Sequence, residues 1–242
     1  MEAKIQGLLD QISGLSADWH HAGTMSDIVL KAIARHTDGL VIEHSAETGS
    51  GKTTLLFSHL SQNHEVFAVD DGQSISRVKN SNLFNSKTVT YIEGPSQVTL
   101  PRHTFKAKLQ IVLIDGPHGY PFPDLEYYYF YPQIVTGGLL LVDDINIPSI
   151  QRMFEILKAD EMFELLEVVE YTAFFRRTKA PLIDPLGDNW WLQGVNREHY
   201  EYAMARSQYA GSSKLSKIGR FIPPGVKKLI PVGWKTVLFR KF

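Results

Sequence analysis

Apolar residues change period several times along the chain, and each change predicts an element. In "IQGLLDQISGL" and "SDIVLKAIARH" they recur every three or four positions, so residues 5–15 and 26–36 are expected to be amphipathic helices. Ser26 stands where it would cap the second. "DGLVIEHSA" is a short apolar run behind a turn signal and reads as a strand. The helical period returns in "TTLLFSHLSQ". Strands are then expected in "HEVFAVDD", "TVTYIEG", "LQIVLIDG" and "GGLLLVDD", and helices in "SISRVKNSNLF", "PDLEYYYFYPQIV" and "IQRMFEILKADE". "FELLEVVEY" and "TAFFRRT" are separated by too few residues for a crossover, so they are expected to pair antiparallel.

This alternation predicts an α/β fold: a doubly wound, mostly parallel seven-stranded sheet with an antiparallel last pair. The strands are short and apolar throughout, as strands covered on both faces should be. Ligands of such sheets sit beyond the carboxyl ends of the strands. The residues in that position are Glu47 to Gly51, Asp70 and Asp71, Glu93 and Gly94, Asp115, and Asp143 and Asp144. Nearly every strand ends on a carboxylate. From Pro181 the pattern gives way to the Pro/Gly-rich "PLIDPLGDNWWLQG". We therefore divide the chain into a domain of residues 1–180 (helices in 1–36, sheet core in 37–180) and a C-terminal basic extension of 181–242.

Composition narrows the class. The chain has 242 residues, of which 43% are hydrophobic and 21% charged, enough for a full core without covalent staples. It has no cysteine, which excludes a disulfide framework and thiolate metal sites and fits a reducing compartment. No basic segment followed by an apolar run opens the sequence, and no apolar run is long enough to span a bilayer, so a cytoplasmic location is expected. Net charge is −1, yet no Asp or Glu follows Glu201, while basic residues recur from Arg206 to Lys241. That tail, "FIPPGVKKLIPVGWKTVLFRKF" included, has two readings: a solvated extension or homodimer contact, or a peripheral anchor to an anionic membrane or other polyanion. No nucleic-acid-reading motif accompanies it, so nucleic acid is not the expected partner.

The loop "AETGSGKTT" (residues 46–54) admits two chemistries. Its Gly-Lys-Thr end resembles a triphosphate cradle, with a strand-end Asp for magnesium. Against this, Glu47 would repel phosphate. The other reading takes Glu47, Gly49 and Gly51 as an acid followed by alternate glycines, suited to a cationic ligand approaching closely. Asp70 follows at the end of the second strand, placed to hold ribose hydroxyls.

With "ETGSGKTT", "FAVDD", "IEG", "LIDGPH" and "GGLLLVDD" in this order, the sequence resembles the class I S-adenosylmethionine-dependent methyltransferases over roughly residues 37 to 178. The resemblance implies that Glu47 lies near the methionine part of S-adenosylmethionine. It places Thr48, Gly49, Ser50, Gly51 and Thr53 in the cofactor loop, Asp70 or its neighbour Asp71 on the ribose, and Glu93 with Gly94 beside the adenosine. Lys52 is expected on the helix surface.

Asp115, Asp143 and Asp144 end neighbouring strands about 4.8 Å apart. Three carboxylates so placed repel one another unless a cation compensates, and oxygen ligands suit magnesium. His118 lies three residues past Asp115. "DGPH" resembles the metal-dependent O-methyltransferases, the catechol and macrolide-sugar types, with a histidine where the sugar-modifying enzymes carry their base. That resemblance implies a metal on Asp115, Asp143 and Asp144, a proton taken by His118, and methylation of a hydroxyl on a small molecule or glycan. Asp115 would then serve both the catalytic and the cofactor side. His20 and His21 are further candidates for acceptor contact. The alternatives are a metal-independent methyltransferase, a P-loop NTPase and a non-catalytic cofactor-binding module.

Overall fold

The computed structural model describes residues 3–16 and 24–209, with only the backbone of Asp71 and of residues 202–209. His20, His21 and the tail beyond residue 209 lie outside the described residues.

Helix α1 (Ala3–Ser13) buries Leu8, Leu9 and Ile12, one stripe at helical spacing. Helix α2 (Asp27–Thr37) is capped as expected, the Ser26 hydroxyl accepting from the Val29 N–H at 3.3 Å. The chain then alternates: β1 (Ile42–Thr48), α3 (Lys52–Leu60), β2 (Ser61–Ala68), α4 (Ser74–Asn80), β3 (Val89–Glu93), the single turn α5 (Ser96–Thr99), β4 (Leu109–Ile114), α6 (Phe122–Phe130), β5 (Ile134–Val142), α7 (Pro148–Ala159), β6 (Phe163–Val169) and β7 (Thr172–Arg177).

The sheet has seven strands among the described residues, in the order β3-β2-β1-β4-β5-β7-β6. The first five are parallel; β7 runs antiparallel to both β5 and β6. Chain order reverses between β1 and β4, which opens a crevice at their carboxyl ends. Alternate residues of the central strands feed two cores. Ile111, Leu113, Leu139, Leu141 and Phe174 pack with α1, α2 and α3. Val112, Ile114, Leu140, Val142 and Phe175 pack with α6 and α7. Most of the aromatic run on α6 belongs to the second core: Phe130 and Tyr131 are buried there, and Tyr127 stacks on Tyr131.

Four boundaries differ from the sequence reading. Asp38 and Gly39 (φ +75°) turn the chain after α2, so β1 starts only at Ile42. Ser61 to Asn63 extend β2 rather than α3, because Ser61 and Asn63 pair with Ile42 and His44 of β1. Pro132 cannot continue α6, so a 3-10 turn (Tyr131–Gln133) follows and β5 begins at Ile134, ahead of the Gly-Gly pair. The compact unit that holds the sheet runs to Asp188, past the expected boundary at 180. The added residues are held by Tyr131, whose hydroxyl donates to the Ile183 carbonyl at 2.9 Å, and by Tyr128, which donates to the Pro185 carbonyl at 3.2 Å. The second unit, from Asn189, contains a 3-10 turn (Trp190–Leu192) and α8 (Gly194–Tyr209). No helix of the described residues is long and apolar enough to cross a membrane.

Candidate active site

A cavity of about 490 Å³ lies at the crevice between β1 and β4. Its walls are the glycine loop (Gly49 to Thr53), the end of β2 (Phe67 to Val69), Gly94 and Ser96, the β4 loop (Asp115 to His118), Asp143 and Asp144, the β6–β7 turn (Glu170 to Thr172), and Thr24 to Ser26 with Val29 at the start of α2. The α2 and β6–β7 walls are not apparent from sequence, where Ser26 signals only a cap and Tyr171 only a strand end.

The glycine loop is shaped by two demands. Gly49 has φ +86°, and a Cβ there would stand 2.4 Å from the Asp115 carbonyl oxygen, so only glycine fits. A Cβ on Gly51, which also lines the cavity, would enter open space. Gly51 precedes α3, and its N–H donates to the Thr54 hydroxyl at 3.1 Å. The Ser50 hydroxyl meets that of Tyr91 on β3 at 3.2 Å. Thr48 faces away from the cavity. Its hydroxyl accepts from the Asp115 N–H at 3.0 Å and donates to Glu126 Oε2 at 2.9 Å, joining the loop of β1 to that of β4.

Two residues of this loop sit elsewhere than sequence suggests. Lys52 is buried rather than on the helix surface, and its Nζ reaches the Leu15 carbonyl at 3.5 Å. Glu47 is fully buried beneath the loop and does not line the cavity. Its Oε1 accepts from the Thr54 hydroxyl and faces His64 Nε2 at 3.1 Å.

At the end of β2, Asp70 caps α4. Its carboxylate accepts from the Ile75 N–H at 2.9 Å and the Ser76 hydroxyl at 2.7 Å, and the Ser76 hydrogen bond holds its pKa below the usual value. Asp70 does not line the cavity, and the backbone of Asp71 begins a 3-10 turn. Gly94 does line it, at φ +136°. Its neighbour Glu93 points outward into an exposed ion pair with Lys79 at 2.7 Å, a contact of small energetic weight.

The strand-four and strand-five acids converge as expected, but in a different grouping. Asp115, His118 and Asp144 each bring a donor atom within 4.8 Å of the others. His118 Nε2 stands 3.0 Å from Asp144 Oδ2, and the His118 carbonyl accepts from Ser149 at the start of α7. Asp144 takes the left-handed backbone, φ 55°, which aspartate tolerates better than most residues. Asp143 lines the same cavity but turns one oxygen to the Thr172 hydroxyl on β7. Burial first, then the charges of Asp143 and Asp144, push the Asp115 carboxyl well above its ordinary pKa. Burial likewise raises Asp143, against the Thr172 hydrogen bond. Three carboxyls this close repel one another as anions, a repulsion that a cation would relieve.

Glu126 on α6 packs against Gly116 of the β4 loop, although its place in an aromatic run reads as core from sequence. It is fully buried, its Oε1 has no hydrogen-bond partner, and a Cβ on Gly116 would stand 2.2 Å from that atom. Burial raises its pKa from 4.5 to about 7, against the hydrogen bond from Thr48. Below pH 4.5 the carboxyl is protonated whether the chain is folded or not, and burial carries no charge penalty. As pH rises from 4.5 to about 7, the unfolded chain releases the proton first, so the folded state loses stability. Glu126→Gln removes this titration. Between pH 4.5 and 8 its stability relative to the wild type should therefore improve by about 3 kcal/mol, measured by denaturant unfolding at both pH values. A pH-independent difference would mean Glu126 is not carried as a buried acid.

Residues 46–145 match the family model described as a methyltransferase domain. No curated protein sequence matches the chain. Among solved structures it is similar to an O-methyltransferase from Bacillus cereus in complex with S-adenosylhomocysteine, at 13% identity and TM-score 0.51, over 74% of this chain and 92% of that one. It is also similar to the S-adenosylhomocysteine-bound Podospora anserina methyltransferase PaMTH1 (14%, TM-score 0.51, 74% and 89%). A third is the O-methyltransferase TomG from Streptomyces achromogenes in complex with S-adenosylmethionine (14%, TM-score 0.50, 71% and 89%). At these identities the likeness speaks for the fold, and the matched model speaks for the domain. Residues 46–145 thus match a methyltransferase domain, and the fold around them is the one these methyltransferase structures share.

Proposed function

We propose that the chain transfers the methyl group of S-adenosylmethionine to a hydroxyl oxygen of a small molecule or a sugar, assisted by a divalent cation, magnesium first. One observation carries this reading. Asp115, His118 and Asp144 converge on the same cavity that the glycine loop lines.

The residues fit both groups. Gly49 and Gly94 line the cavity, and Gly49 lets the glycine loop pack directly on the Asp115 carbonyl of the β4 loop, so that both loops present backbone to a ligand there. Two carboxylates with room for water suit a hard cation, and the acids complement a sulfonium. S-Adenosylmethionine supplies an electrophilic methyl on a cationic sulfur, and the metal ion supplies Lewis acidity toward the acceptor hydroxyl.

The chain's own residues do the rest. Gly49, Ser50, Gly51 and Thr53 would line the cofactor, with Gly94 at the adenosine end; Glu93, the other residue proposed there, would have to leave Lys79 to reach it. Asp70, with Asp71 beside it, is the acid proposed for the ribose, a role in which its carboxylate leaves Ser76. Asp115 and Asp144 hold the cation, with Asp143 alongside. Asp144 orients the His118 imidazole, which takes the hydroxyl proton. Holding acceptor and methyl donor in one cavity would align the hydroxyl oxygen with the methyl, so that the O–C bond forms as the S–C bond breaks and S-adenosylhomocysteine leaves, and that alignment would supply much of the rate. A small-molecule or glycan acceptor, a cytoplasmic location, a homodimer, and a peripheral contact of the tail with anionic membrane or polyanion are proposed on the sequence.

Methyl transfer to a panel of hydroxylated acceptors tests the reading. EDTA should abolish it and magnesium restore it, and Asp144→Ala should lose at least about 100-fold of the restored rate. Transfer that is indifferent to EDTA and to Asp144→Ala would instead support the metal-independent alternative.

A further inference from the structure

Beneath the glycine loop lies a chain of buried polar side chains that touches nothing in the cavity. Ser45 and Glu47 of β1 project on one face, two residues apart. The parallel register sets His64 of β2 opposite Ser45. Ser45, Glu47, Thr54 and His64 are each at most 1% exposed. The His64 ring stacks on Phe57 of α3 at 4.9 Å, its Nδ1 lies 2.7 Å from the Ser45 hydroxyl, and its Nε2 lies 3.1 Å from Glu47 Oε1. The Thr54 hydroxyl donates to that same Oε1 and accepts from the Gly51 N–H at 3.1 Å.

A carboxylate taken out of water needs donors, and this one has two on a single oxygen, His64 and Thr54. Both are committed to it. Thr54 then has one acceptor lone pair directed at Gly51, the residue that fixes where the loop becomes a helix. We infer that Glu47 and His64 form a positioning unit: through Thr54 they set the Gly51 amide, and with it the loop that faces the cofactor. Glu47 therefore acts on cofactor affinity without touching the cofactor. This rests on the methyltransferase reading above.

The alternative is that the network only stabilises the fold. Thr54→Val keeps the shape and removes the hydroxyl, whereas Thr54→Ser keeps the hydroxyl; Thr54→Ala replaces the valine variant if that does not fold. S-Adenosylhomocysteine affinity is measured by calorimetry on each folded protein, beside the amide exchange of Gly51. The inference predicts that Thr54→Val weakens affinity about 10-fold and deprotects the Gly51 amide, and that Thr54→Ser restores both. The KM for S-adenosylmethionine should rise while the KM for the acceptor and the magnesium requirement stay put. Wild-type affinity in a folded but less stable Thr54→Val protein would overturn it. If the wild type itself does not bind S-adenosylhomocysteine, the methyltransferase reading fails instead.

Discussion

Gly49→Ala abolishes measurable S-adenosylhomocysteine binding, an expected loss of at least about 100-fold. The new methyl group would stand 2.4 Å from the Asp115 carbonyl oxygen, an overlap of backbone that no rotamer relieves. Either the glycine loop or the β4 loop must move, and the two walls of the cavity separate. Displacements of about 1 Å at such sites cost about 100-fold. The left-handed φ of +86° adds strain of roughly 1–2 kcal/mol for any residue with a β-carbon. Gly39→Ala is the control, because Gly39 has φ +75° with open space around its Cβ position. It should lose a similar increment of stability and keep full affinity. Calorimetry on both variants separates the overlap from the strain. Near-wild-type affinity in Gly49→Ala would remove the glycine loop from the cofactor site.

His118→Ala should lower turnover by roughly 10²–10⁴ while leaving S-adenosylhomocysteine affinity nearly unchanged. The imidazole meets Asp144 Oδ2 at 3.0 Å, and Ser149 anchors the loop that carries it by donating to the His118 backbone carbonyl. It is partly exposed, as a group that exchanges protons with substrate and solvent must be. Steady-state kinetics with saturating magnesium is the measurement. Turnover within twofold of the wild type would leave His118 with no part in proton transfer.

The sheet was readable because its strands are apolar runs bounded by acids and glycines, and because the last two strands are too close to cross over. The acids of β4 and β5 were readable for the same reason. Their grouping was not. Asp143 and Asp144 are adjacent in sequence, and only the left-handed backbone at Asp144 and the Thr172 hydroxyl on β7 decide which of them turns toward His118. Glu47 was misplaced by its neighbours: an acid before alternate glycines suggests a ligand contact, yet the register of β1 on β2 puts His64 within reach and draws the carboxylate inward. Asp70 shows the same limit, since the Ser76 hydroxyl that binds it lies in the first turn of α4. Glu126 sits in an aromatic run that reads as core, and its contact with Gly116 depends on how α6 lies over the β4 loop.

The central claim is that "AETGSGKTT" frames a methyl-donor site and no triphosphate site. Titrating the wild-type protein with S-adenosylhomocysteine, and separately with ATP and magnesium, tests it most directly. The account predicts saturable binding of S-adenosylhomocysteine and none of ATP; saturable binding of ATP without S-adenosylhomocysteine would contradict it.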